Sequence, residues 1–366
     1  MSSTIVMKAA TSRRVPALVN TQKMQTNNTD PMVETEGEAY QASEGEPSVA
    51  AEGVPYDVAI VGGGPAGLVA ATHCRMRGLS SITFEAQAFG GQLVSLYPSK
   101  PVTNFPANLD VASGELARRL AEQAAHFGAE LHEHEAVESV GYAADVGFVL
   151  RSTGQRAKAR AVLLALGLGR FRPRKLGLKE ESCFAGRGLF YRLPSRDNIV
   201  ARHAVVVGGG DTAVDMAIAL KAIVPDVTLV HRHVTLRAYP HSLERLDASG
   251  VQVMPDAEVV GLRGSDVLEH VLVALHDQEA QEIPADLLLV SVGQVPDLGG
   301  LAEWDLKLAL DGSHLPVDSS MRTAVYGVFA AGDFVTYPGK IKMIATAVAE
   351  GSTAAASVER CLRLQA

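Results

Sequence analysis

Cysteine is scarce in this sequence, and the few residues present are spread too far apart to act together. Three cysteines occur among 366 residues, at positions 74, 183 and 361, and no C-x-x-C pair is found. This spacing excludes a disulfide scaffold, a cysteine-based zinc site and a dithiol active site, and it suits a reducing compartment. We expect Cys74 to lie in the core and Cys183 to be a half-buried structural residue rather than a redox thiol.

Long apolar runs and an excess of positive charge are also missing. No run approaches the roughly 18 residues that a membrane-spanning helix needs, and residues 161–168 form one of the longest. The formal net charge of -8 argues against a general nucleic-acid binder. Apolar residues make up 47% of the chain, enough to bury a sizeable core. The composition predicts a cytoplasmic enzyme that has neither a membrane nor a nucleic acid as partner.

The first 54 residues lack sustained hydrophobic periodicity. They are rich in Ser, Thr, Asn, Glu and Gln, with basic residues up to position 28 and acidic residues after it. Such a stretch cannot bury enough apolar surface to offset the entropy lost on ordering, so we expect a disordered tail over residues 1–54. Its acid-free, basic start also fits an organelle transit peptide, which would make the protein organellar.

A dinucleotide-binding fingerprint opens the folded part. A short strand over residues 57–61 runs directly into the sequence GGGPAG at 62–67, and a helix follows. In such a loop the first glycine permits a tight turn, the second lets a pyrophosphate approach the backbone, and the third allows the helix to pack closely on the strand. The next strand, at 81–84, ends in Glu85, whose carboxylate is placed to accept hydrogen bonds from a ribose.

The same construction recurs at residues 204–213, with Ala213 in place of the third glycine. Its second strand ends in the sequence HRH at 231–233, and Arg237 follows four residues on. No carboxylate stands where a ribose 2′-hydroxyl would be held, whereas a guanidinium group pairs with phosphate in a fork. This second unit is therefore predicted to prefer NADPH over NADH, the alternative being that these are ordinary surface cations.

A third element decides which unit binds which nucleotide. Residues 328–333 read as a strand that runs into a Gly-Asp turn, and a long alanine-rich helix is predicted from about 341 to 362. In that position Asp333 can accept hydrogen bonds from the ribityl chain of a flavin, and the helix N-terminus stabilises negative charge on the reduced ring. We therefore assign FAD to the first unit together with the C-terminal segment, and NADP to the second unit.

The predicted fold class is α/β, with two Rossmann-like three-layer dinucleotide-binding domains, one inserted in the other. The FAD-binding domain is discontinuous and covers residues 55–170 and 286–366, while the NADP-binding domain covers 171–285. The chain crosses between them near 171–173 and 292–296, which are Gly- or Pro-bearing joints that permit rotation.

Several strings of residues resemble a known family. They are GGQLVSLYPSK at 90–100, the second glycine loop with its helix start at 208–215, LVHR at 229–232, AAGD at 330–333 and TYPGK at 336–340. Over residues 56–362 the chain resembles flavoprotein reductases built like thioredoxin reductase, and most closely the ferredoxin/flavodoxin–NADP reductases of that type. The LYPSK and TYPGK strings separate this branch from true thioredoxin reductases.

The resemblance implies a homodimer and a flavin ring stacked on Tyr97. It implies FAD contacts at Glu85, Gln92, Tyr97, Val137, Phe171 and Asp333. The family's usual two arginines after the strand-end histidine are Arg232 and His233 here. Because histidine loses its charge near neutral pH, we expect the preference for NADPH to be weaker and to fall as pH rises.

The expected site residues fall into two cofactor sets. The FAD set is Gly62, Gly64, Pro65, Ala66, Gly67, Glu85, Gly91, Gln92, Leu93, Tyr97, Val137, Phe171, Gly332 and Asp333. The NADP set is Gly208, Gly210, Asp211, Thr212, Ala213, His231, Arg232, His233 and Arg237. We assign no catalytic side chain, since the cofactor carries the reaction, and no metal, since the histidines lack carboxylates at ligand spacing.

The activity that these sets imply is that of a ferredoxin–NADP(+) reductase. Hydride passes between NADPH and FAD, and single electrons pass between FAD and ferredoxin or flavodoxin, without a redox dithiol. Nine cations and no acids lie between Arg151 and Lys179, either as a docking area for the carrier or as a solvated hairpin and hinge. The rival functions are a diaphorase or thioredoxin-reductase-like enzyme acting on quinones, small disulfides or dioxygen, and a non-enzymatic nucleotide sensor.

Overall fold

The computed structural model of the chain describes residues 54–364, except positions 97, 99, 171, 195, 276 and 277. Tyr97 and Phe171, which the resemblance assigns to the flavin, therefore lie outside the described residues. The predicted tail lies outside them as well, apart from its last residue.

Helices and strands alternate through most of the described chain. The helices are α1 (Pro65–Met76), α2 (Gln92–Ser95), α3 (Ser113–His126), α4 (Glu181–Phe184), α5 (Asp211–Lys221), α6 (Pro240–Ser249) and α7 (Ile344–Arg363). The strands are β1 (Tyr56–Val61), β2 (Ser81–Phe84), β3 (Pro101–Val102), β4 (Val111–Ala112), β5 (Glu130–His132), β6 (Val137–Ala143), β7 (Gly147–Ser152), β8 (Arg156–Leu164), β9 (Arg172–Pro173), β10 (Leu189–Phe190), β11 (His203–Val207), β12 (Asp226–His231), β13 (Gln252–Pro255), β14 (Ala257–Gly264), β15 (Leu268–Leu275), β16 (Gln281–Pro284), β17 (Leu287–Val290), β18 (Gln294–Val295), β19 (Leu315–Pro316), β20 (Val328–Ala330) and β21 (Val335–Thr336). Short 3-10 turns span Arg196–Asn198 and Gly299–Glu303.

The first large sheet combines both ends of the described chain. Its strands follow the order β5-β2-β1-β8-β7-β6, and β20 pairs in parallel with β8. Strand β1 pairs in parallel with β2 and β8, whereas β6, β7 and β8 form an antiparallel meander. Alternation along β1 sends Val58 and Ile60 into the core beneath α1, α3 and α7, and Ala59 and Val61 into a second core on the other face. Both faces are buried, as expected for the parallel part of such a sheet.

The second large sheet is formed by the middle of the chain. Its order is β10-β17-β11-β12-β13, and every pairing is parallel. Strand β11 again feeds two cores, with Ala204 and Val206 on the side of α5 and α6, and Val205 and Val207 on the side of the antiparallel sheet β14-β15-β16. Parallel strands with helices packed against them confirm the predicted α/β class.

The chain passes from the first sheet to the second and back along two adjacent segments. Strand β9 on the outward path pairs antiparallel with β18 on the return path, so that Arg172 faces Val295 and Pro173 faces Gln294. Just before β9, the Arg170 N–H donates to Asp297 O at 2.8 Å. The two crossings therefore lie side by side as a short ladder.

Most of the predicted elements are present, with small changes at their ends. The predicted strand at 57–61 is β1, and the helix predicted from about 341 is α7, which begins at Ile344. Cys74 is buried in α1, as expected, and burial raises the pKa of its thiol to about 12. The expectation for Cys183 is wrong in one respect, because its side chain is exposed rather than half-buried. None of the described helices is long and apolar enough to cross a bilayer.

Candidate functional site

A cavity of about 1270 Å³ lies over the carboxyl end of the first sheet. Its wall includes residues of the first glycine loop (residues 62–67), Glu85, Gln92 and Asp333. The cavity also reaches the first turn of α5, which packs on the second sheet. Ordinary small-molecule pockets measure about 300–1,000 Å³. The cavity thus has room for a dinucleotide and extends toward the second nucleotide-binding fingerprint.

The first glycine loop has the geometry that its sequence predicts. Gly62 has φ +108°, and a Cβ there would lie 2.3 Å from Ala165 O. A Cβ at Gly67 would lie 1.9 Å from Gly62 O, so only glycine lets α1 start so close to β1. Gly64 has open space on its Cβ side and precedes α1, whose N-terminus no side chain caps. A pyrophosphate fits this cradle, since nothing blocks its approach to Gly64 and the first N–H groups of α1.

Glu85 lies on the cavity wall, directly after β2. Its Oε2 accepts a hydrogen bond from the Gly63 N–H at 2.7 Å, and its Oε1 accepts one from the Gln87 N–H at 2.8 Å. Burial raises the pKa of Glu85, although these backbone hydrogen bonds oppose the rise. The carboxylate is fixed by the glycine loop and, with about four lone-pair positions, keeps acceptor capacity for sugar hydroxyls.

Asp333 meets two other segments of the chain. Its Oδ2 accepts a hydrogen bond from Gln92 Nε2 at 3.2 Å, and Gln92 Oε1 in turn accepts one from Gln294 Nε2 at 3.3 Å. Gln92 follows the first glycine loop, and Gln294 belongs to the returning crossing. The sequence did not mark Gln294 as a site residue, because a lone glutamine after a strand carries no motif.

A buried ionic cluster lies behind the turn that carries Asp333. Glu350 in α7 accepts a hydrogen bond from the Gly332 N–H at 2.7 Å and another from Tyr337 Oη at 2.7 Å. Its third partner is the ammonium group of Lys340. Burial and the hydrogen bond to Glu350 raise the pKa of Tyr337 to about 12, so this hydroxyl stays protonated and donates.

The second glycine loop (residues 208–213) repeats the first with one change. A Cβ at Gly208 would lie 2.4 Å from Ser291 O, and Gly210, before α5, is open on its Cβ side. A Cβ at the middle glycine, Gly209, would lie 2.1 Å from the ring of His231. The Arg237 N–H donates to Gly209 O at 2.6 Å, which holds this arginine beside the loop.

His231 supports the loop rather than standing at its surface. The side chain is buried, with an exposed fraction of 8%, and its Nε2 lies 3.1 Å from Thr235 O. Burial, together with nearby His233, Arg237 and Arg232, lowers the pKa of His231. It is therefore neutral at neutral pH. Arg232, His233 and Arg237 are exposed and remain the predicted phosphate partners.

Asp211, the first residue of α5, is already engaged by its own part of the chain. Its Oδ1 accepts hydrogen bonds from the Tyr239 N–H and from Ser242 Oγ, both at 2.9 Å. These contacts join the starts of α5 and α6. Thr212, beside it, lines the cavity.

A second acidic residue of α5 connects the two nucleotide-binding parts. Asp215 lies 2.9 Å from Lys100 Nζ, and Lys100 belongs to the first part of the chain. Asp215 also contacts Arg245 of α6 at 3.5 Å. Neither partner was predicted, because the two ionic contacts join residues that are distant in the sequence.

The cavity brings together most of the FAD set but only two residues of the NADP set, Asp211 and Thr212; among the described residues, the predicted ones that do not line it are Gly67, Gly208, Gly210, Ala213, His231, Arg232, His233 and Arg237. Those of the FAD set that line it are Gly62, Gly64, Pro65, Ala66, Glu85, Gly91, Gln92, Leu93, Val137, Gly332 and Asp333. Within the described ranges, no group of three or more His, Cys, Asp or Glu side chains is arranged to hold a metal ion.

Two glycine loops of this form, with one cavity between the first loop and the second loop's helix, define a dinucleotide-dependent oxidoreductase. A family model described as pyridine nucleotide-disulphide oxidoreductase matches residues 56–351. The chain belongs to this family. Membership, together with the name that the curated relatives share, implies the use of FAD and NADP(H), as the sequence predicts.

Two curated relatives that match most of the chain are named as ferredoxin--NADP reductases. The chain is 39% identical over 300 residues to a protein of Frankia alni named ferredoxin--NADP reductase, which covers 81% of this chain and 91% of that protein. It is 36% identical over 302 residues to ferredoxin--NADP reductase 2 of Shouchella clausii, covering 82% of this chain and 91% of the relative.

Solved structures with the same fold include thioredoxin reductases. That of T. acidophilum aligns with a TM-score of 0.76 at 26% identity, covering 86% of this chain and all (100%) of that one. That of Lactococcus lactis aligns with a TM-score of 0.74 at 25% identity, covering 84% and 99% of the two chains. The prediction of two Rossmann-like parts is confirmed by these neighbours.

Proposed function

We propose that this protein is a ferredoxin–NADP reductase that uses FAD to pass electrons between NADPH and a one-electron carrier. The observation that carries the proposal is the shared cavity, in which Glu85 and Asp333 face the same space as the first turn of α5. A nicotinamide held by the second loop has a direct route to a flavin held by the first. Bound FAD would accept the hydride of NADPH and release its two electrons one at a time.

The residues of the first part hold and orient the flavin nucleotide. The open side of Gly64 and the uncapped start of α1 receive the pyrophosphate, and Glu85 accepts from the adenosine ribose. Asp333, already oriented by Gln92, accepts from the ribityl chain. We assign the FAD-binding domain to residues 55–170 and 291–366, because the first sheet takes strands from both. The boundary expected at 286 would include β17 (Leu287–Val290), which pairs with β11 in the second sheet.

The residues of the second part select the nicotinamide nucleotide. We assign the NADP-binding domain to residues 171–290 rather than to the expected 171–285, because β17 lies between β10 and β11 in the second sheet. Gly210 and the start of α5 receive the pyrophosphate, and Arg232, His233 and Arg237 surround the 2′-phosphate. His231 acts indirectly, since its neutral ring packs against Gly209 and shapes the loop.

Cysteine chemistry argues against the thiol-based alternative. The stretch before the second glycine loop contains Cys183 without a second cysteine, so electrons cannot leave through an internal dithiol. Cys74 is buried and its raised pKa keeps it protonated. Electrons therefore leave from the flavin itself, as a one-electron carrier requires.

The cations of the outward crossing offer a docking area for an acidic carrier. Arg151 and Arg160 pair with Glu138 and Asp57 on the first sheet, whereas Arg172 is 65% exposed and lies 3.7 Å from Asp297. The crossing also carries further exposed cations, at positions 170, 174, 175 and 179. Reversing the charges of Arg172 and Arg174 should lower the carrier-dependent rate and its salt sensitivity.

An anaerobic titration followed by an acceptor comparison tests the function. NADPH should bleach the flavin absorbance stoichiometrically, and turnover at fixed NADPH should be faster with ferredoxin or flavodoxin than with thioredoxin or a quinone. A colourless protein that refuses added FAD, or one that turns over thioredoxin fastest, would contradict the proposal.

Three further expectations accompany this function. Flavodoxin as a second carrier, a homodimer, and a cytoplasmic location follow from the resemblance and the composition. Light scattering of the purified protein decides the second, with a mass of twice 38.6 kDa as the expected value.

A further inference from the structure

The TYPGK string, which distinguishes this chain from thioredoxin reductases, lies behind the cavity rather than in it. Two of its members, Tyr337 and Lys340, meet Glu350 of α7, and none of the three lines the cavity. The side chains of Lys340 and Glu350 are 8% and 4% exposed. A lysine and a glutamate are buried this far only when each compensates the other, so their position calls for an explanation.

These side chains grip both sides of one residue. Glu350 Oε2 accepts from the Gly332 N–H at 2.7 Å, and Lys340 Nζ donates to Gly332 O at 3.0 Å. Gly332 has φ +85°, in the left-handed region, and directly precedes Asp333. The two contacts therefore fix the peptide groups on either side of the residue that aims Asp333 into the cavity.

The same cluster ties this turn to the first glycine loop. Next to Glu350, a Cβ at Gly351 would lie 2.2 Å from Ala66 O, so α7 crosses directly on the loop that starts α1. A Cβ at Gly332 would also lie 3.2 Å from the Cβ of Ala66. Through Glu350, the turn and the loop are held in one fixed relation.

We propose that Lys340, Glu350 and Tyr337 form a buried clamp that sets the Gly332–Asp333 turn against the first glycine loop, so that the flavin site is formed before FAD binds. The three are positioning residues, which act on FAD through Gly332 and Asp333. The inference rests on the proposed use of Asp333 as a flavin ligand. It predicts that the clamp governs FAD affinity and the order of residues 332–343 in the FAD-free protein.

The first test measures FAD release from the purified holoprotein by the recovery of flavin fluorescence. Lys340→Met removes the positive charge that compensates the buried Glu350 carboxylate, and Glu350→Gln removes the negative charge that compensates the buried Lys340 ammonium group. Each variant should therefore weaken FAD binding about tenfold or more. The double variant removes both charges and should lose less than the product of the two single effects. Tyr337→Phe removes one hydrogen bond and should weaken binding about threefold.

The matched control is a more exposed ion pair on the same helix; its glutamate, Glu359, is 21% exposed and also contacts Arg77, just after α1. Glu359 and Arg363 make an i,i+4 contact in which the arginine side chain is 77% exposed. Glu359→Gln and Arg363→Met change the same kinds of groups, and they should leave FAD affinity unchanged. Affinity for 2′,5′-ADP at the second glycine loop should also be unchanged in every clamp variant.

The second test needs no bound flavin. In FAD-free protein, cleavage by endoproteinase Lys-C after Lys342 should be several times faster in Glu350→Gln than in the wild type and in Glu359→Gln. If wild-type protein fails to bind FAD, the proposed function is wrong, yet this comparison still reports on the clamp. Unchanged FAD release and unchanged cleavage in both Glu350→Gln and Tyr337→Phe would overturn the inference. Equal losses at the FAD and 2′,5′-ADP sites would overturn it too.

Discussion

The two glycine loops share a backbone plan but differ in the side chain that supports the middle glycine. In the first loop, the Gly63 N–H donates to the carboxylate of Glu85, which remains on the cavity wall. In the second, the Cα of Gly209 lies against the buried ring of His231, and the cations that follow are exposed. Glu85 and His231 occupy the same position, at the end of the strand that follows the loop's helix.

If FAD binds at the first loop and NADP at the second, as proposed, this difference explains how one fold distinguishes two similar nucleotides. A carboxylate at the strand end both holds the loop and accepts from sugar hydroxyls, which suits an unphosphorylated ribose. A neutral histidine there holds the loop by packing alone and brings no negative charge near a 2′-phosphate. On this proposal, the backbone of each glycine loop forms the binding site, and the side chain beside its middle glycine determines which nucleotide is preferred.

The largest expected effect concerns the third position of the loop, which is Gly67 in the first and Ala213 in the second. Gly67→Ala places a Cβ 1.9 Å from a backbone oxygen, and we expect it to cost about 3 kcal/mol or more and to release FAD. Ala213→Gly should cost only about 1 kcal/mol, the usual cost of replacing alanine with glycine in a helix. Thermal unfolding and flavin content measure both. Similar costs for the two variants would show that the loops are packed alike.

The next effect concerns the carboxylate of Glu85. Glu85→Gln should weaken FAD binding by about 10–100-fold, because hydrogen bonds to a charged group are lost. Burial raises the pKa of Glu85, so wild-type affinity should begin to fall on acidification at a higher pH than an exposed glutamate, near pH 4.3, would dictate. Flavin fluorescence against pH checks this. The variant should show a flatter profile, and Glu122→Gln on the exposed face of α3 should follow the wild type.

A comparable effect is expected at the second loop, but on nucleotide choice. Replacing Arg232 or Arg237 with alanine should lower the NADPH-to-NADH ratio of kcat/KM by about tenfold each and leave the NADH rate unchanged. His233→Arg should raise the ratio, because a guanidinium group pairs with phosphate in a fork. Arg263→Ala, in the antiparallel sheet, is the control. A ratio that ignores all three substitutions would make the cations ordinary surface residues.

A smaller effect concerns the ion pair between Lys100 and Asp215. It should change the rate of electron transfer between the two nucleotide sites without changing binding at either site. Asp215→Asn removes the partner of Lys100, and we expect flavin reduction by NADPH to slow about threefold because the pair is partly exposed. FAD affinity should not change. Stopped-flow absorbance at low and high salt measures the rate. Asp226→Asn, which alters an exposed contact with His203, should have no effect.

The smallest effect concerns the strands that precede Glu85 and His231. Ser81 and Thr83 in β2 are buried, and their hydroxyls have no partner among the described residues, whereas the matching positions in β12 are Val227 and Leu229. Thr83→Val should therefore stabilise the protein by about 1 kcal/mol, since an unsatisfied hydroxyl is removed. Urea unfolding of the holoprotein measures it. A loss of stability would mean that Thr83 does have a polar partner.

Local patterns in the sequence were sufficient to locate both glycine loops and many of the residues that line the cavity. Glycine at positions 62, 64 and 67 reports a backbone need that is local, and Glu85 follows a strand that alternation reveals. The start of α7 was off by three residues, since its first turn carries no capping residue to mark it. The antiparallel sheet β14-β15-β16 was not predicted, because its strands do not belong to a strand–glycine-loop–helix motif.

Contacts between residues that are far apart in the chain could not be predicted from the sequence. Lys100 and Asp215 are separated by 115 positions, and nothing in either neighbourhood identifies the other. His231 was expected in the NADP set, and its burial was not predicted, because it depends on how the second glycine loop folds over the ring. Tyr337 and Lys340 were seen only as part of a family string, and their partner Glu350 sits in a helix that reads as an ordinary alanine-rich one.

The ladder between β9 and β18 limits how the two parts of the molecule can move. Because the outward and returning segments pair with each other, we expect the two crossings to rotate together rather than separately. The β9/β18 ladder would then act as one strap between the two sheets. Gln294 is in that strap and touches Gln92 beside Asp333. A rotation of the second sheet's part of the chain would therefore shift the amide of Gln294 against Gln92, beside Asp333, the proposed partner of the ribityl chain.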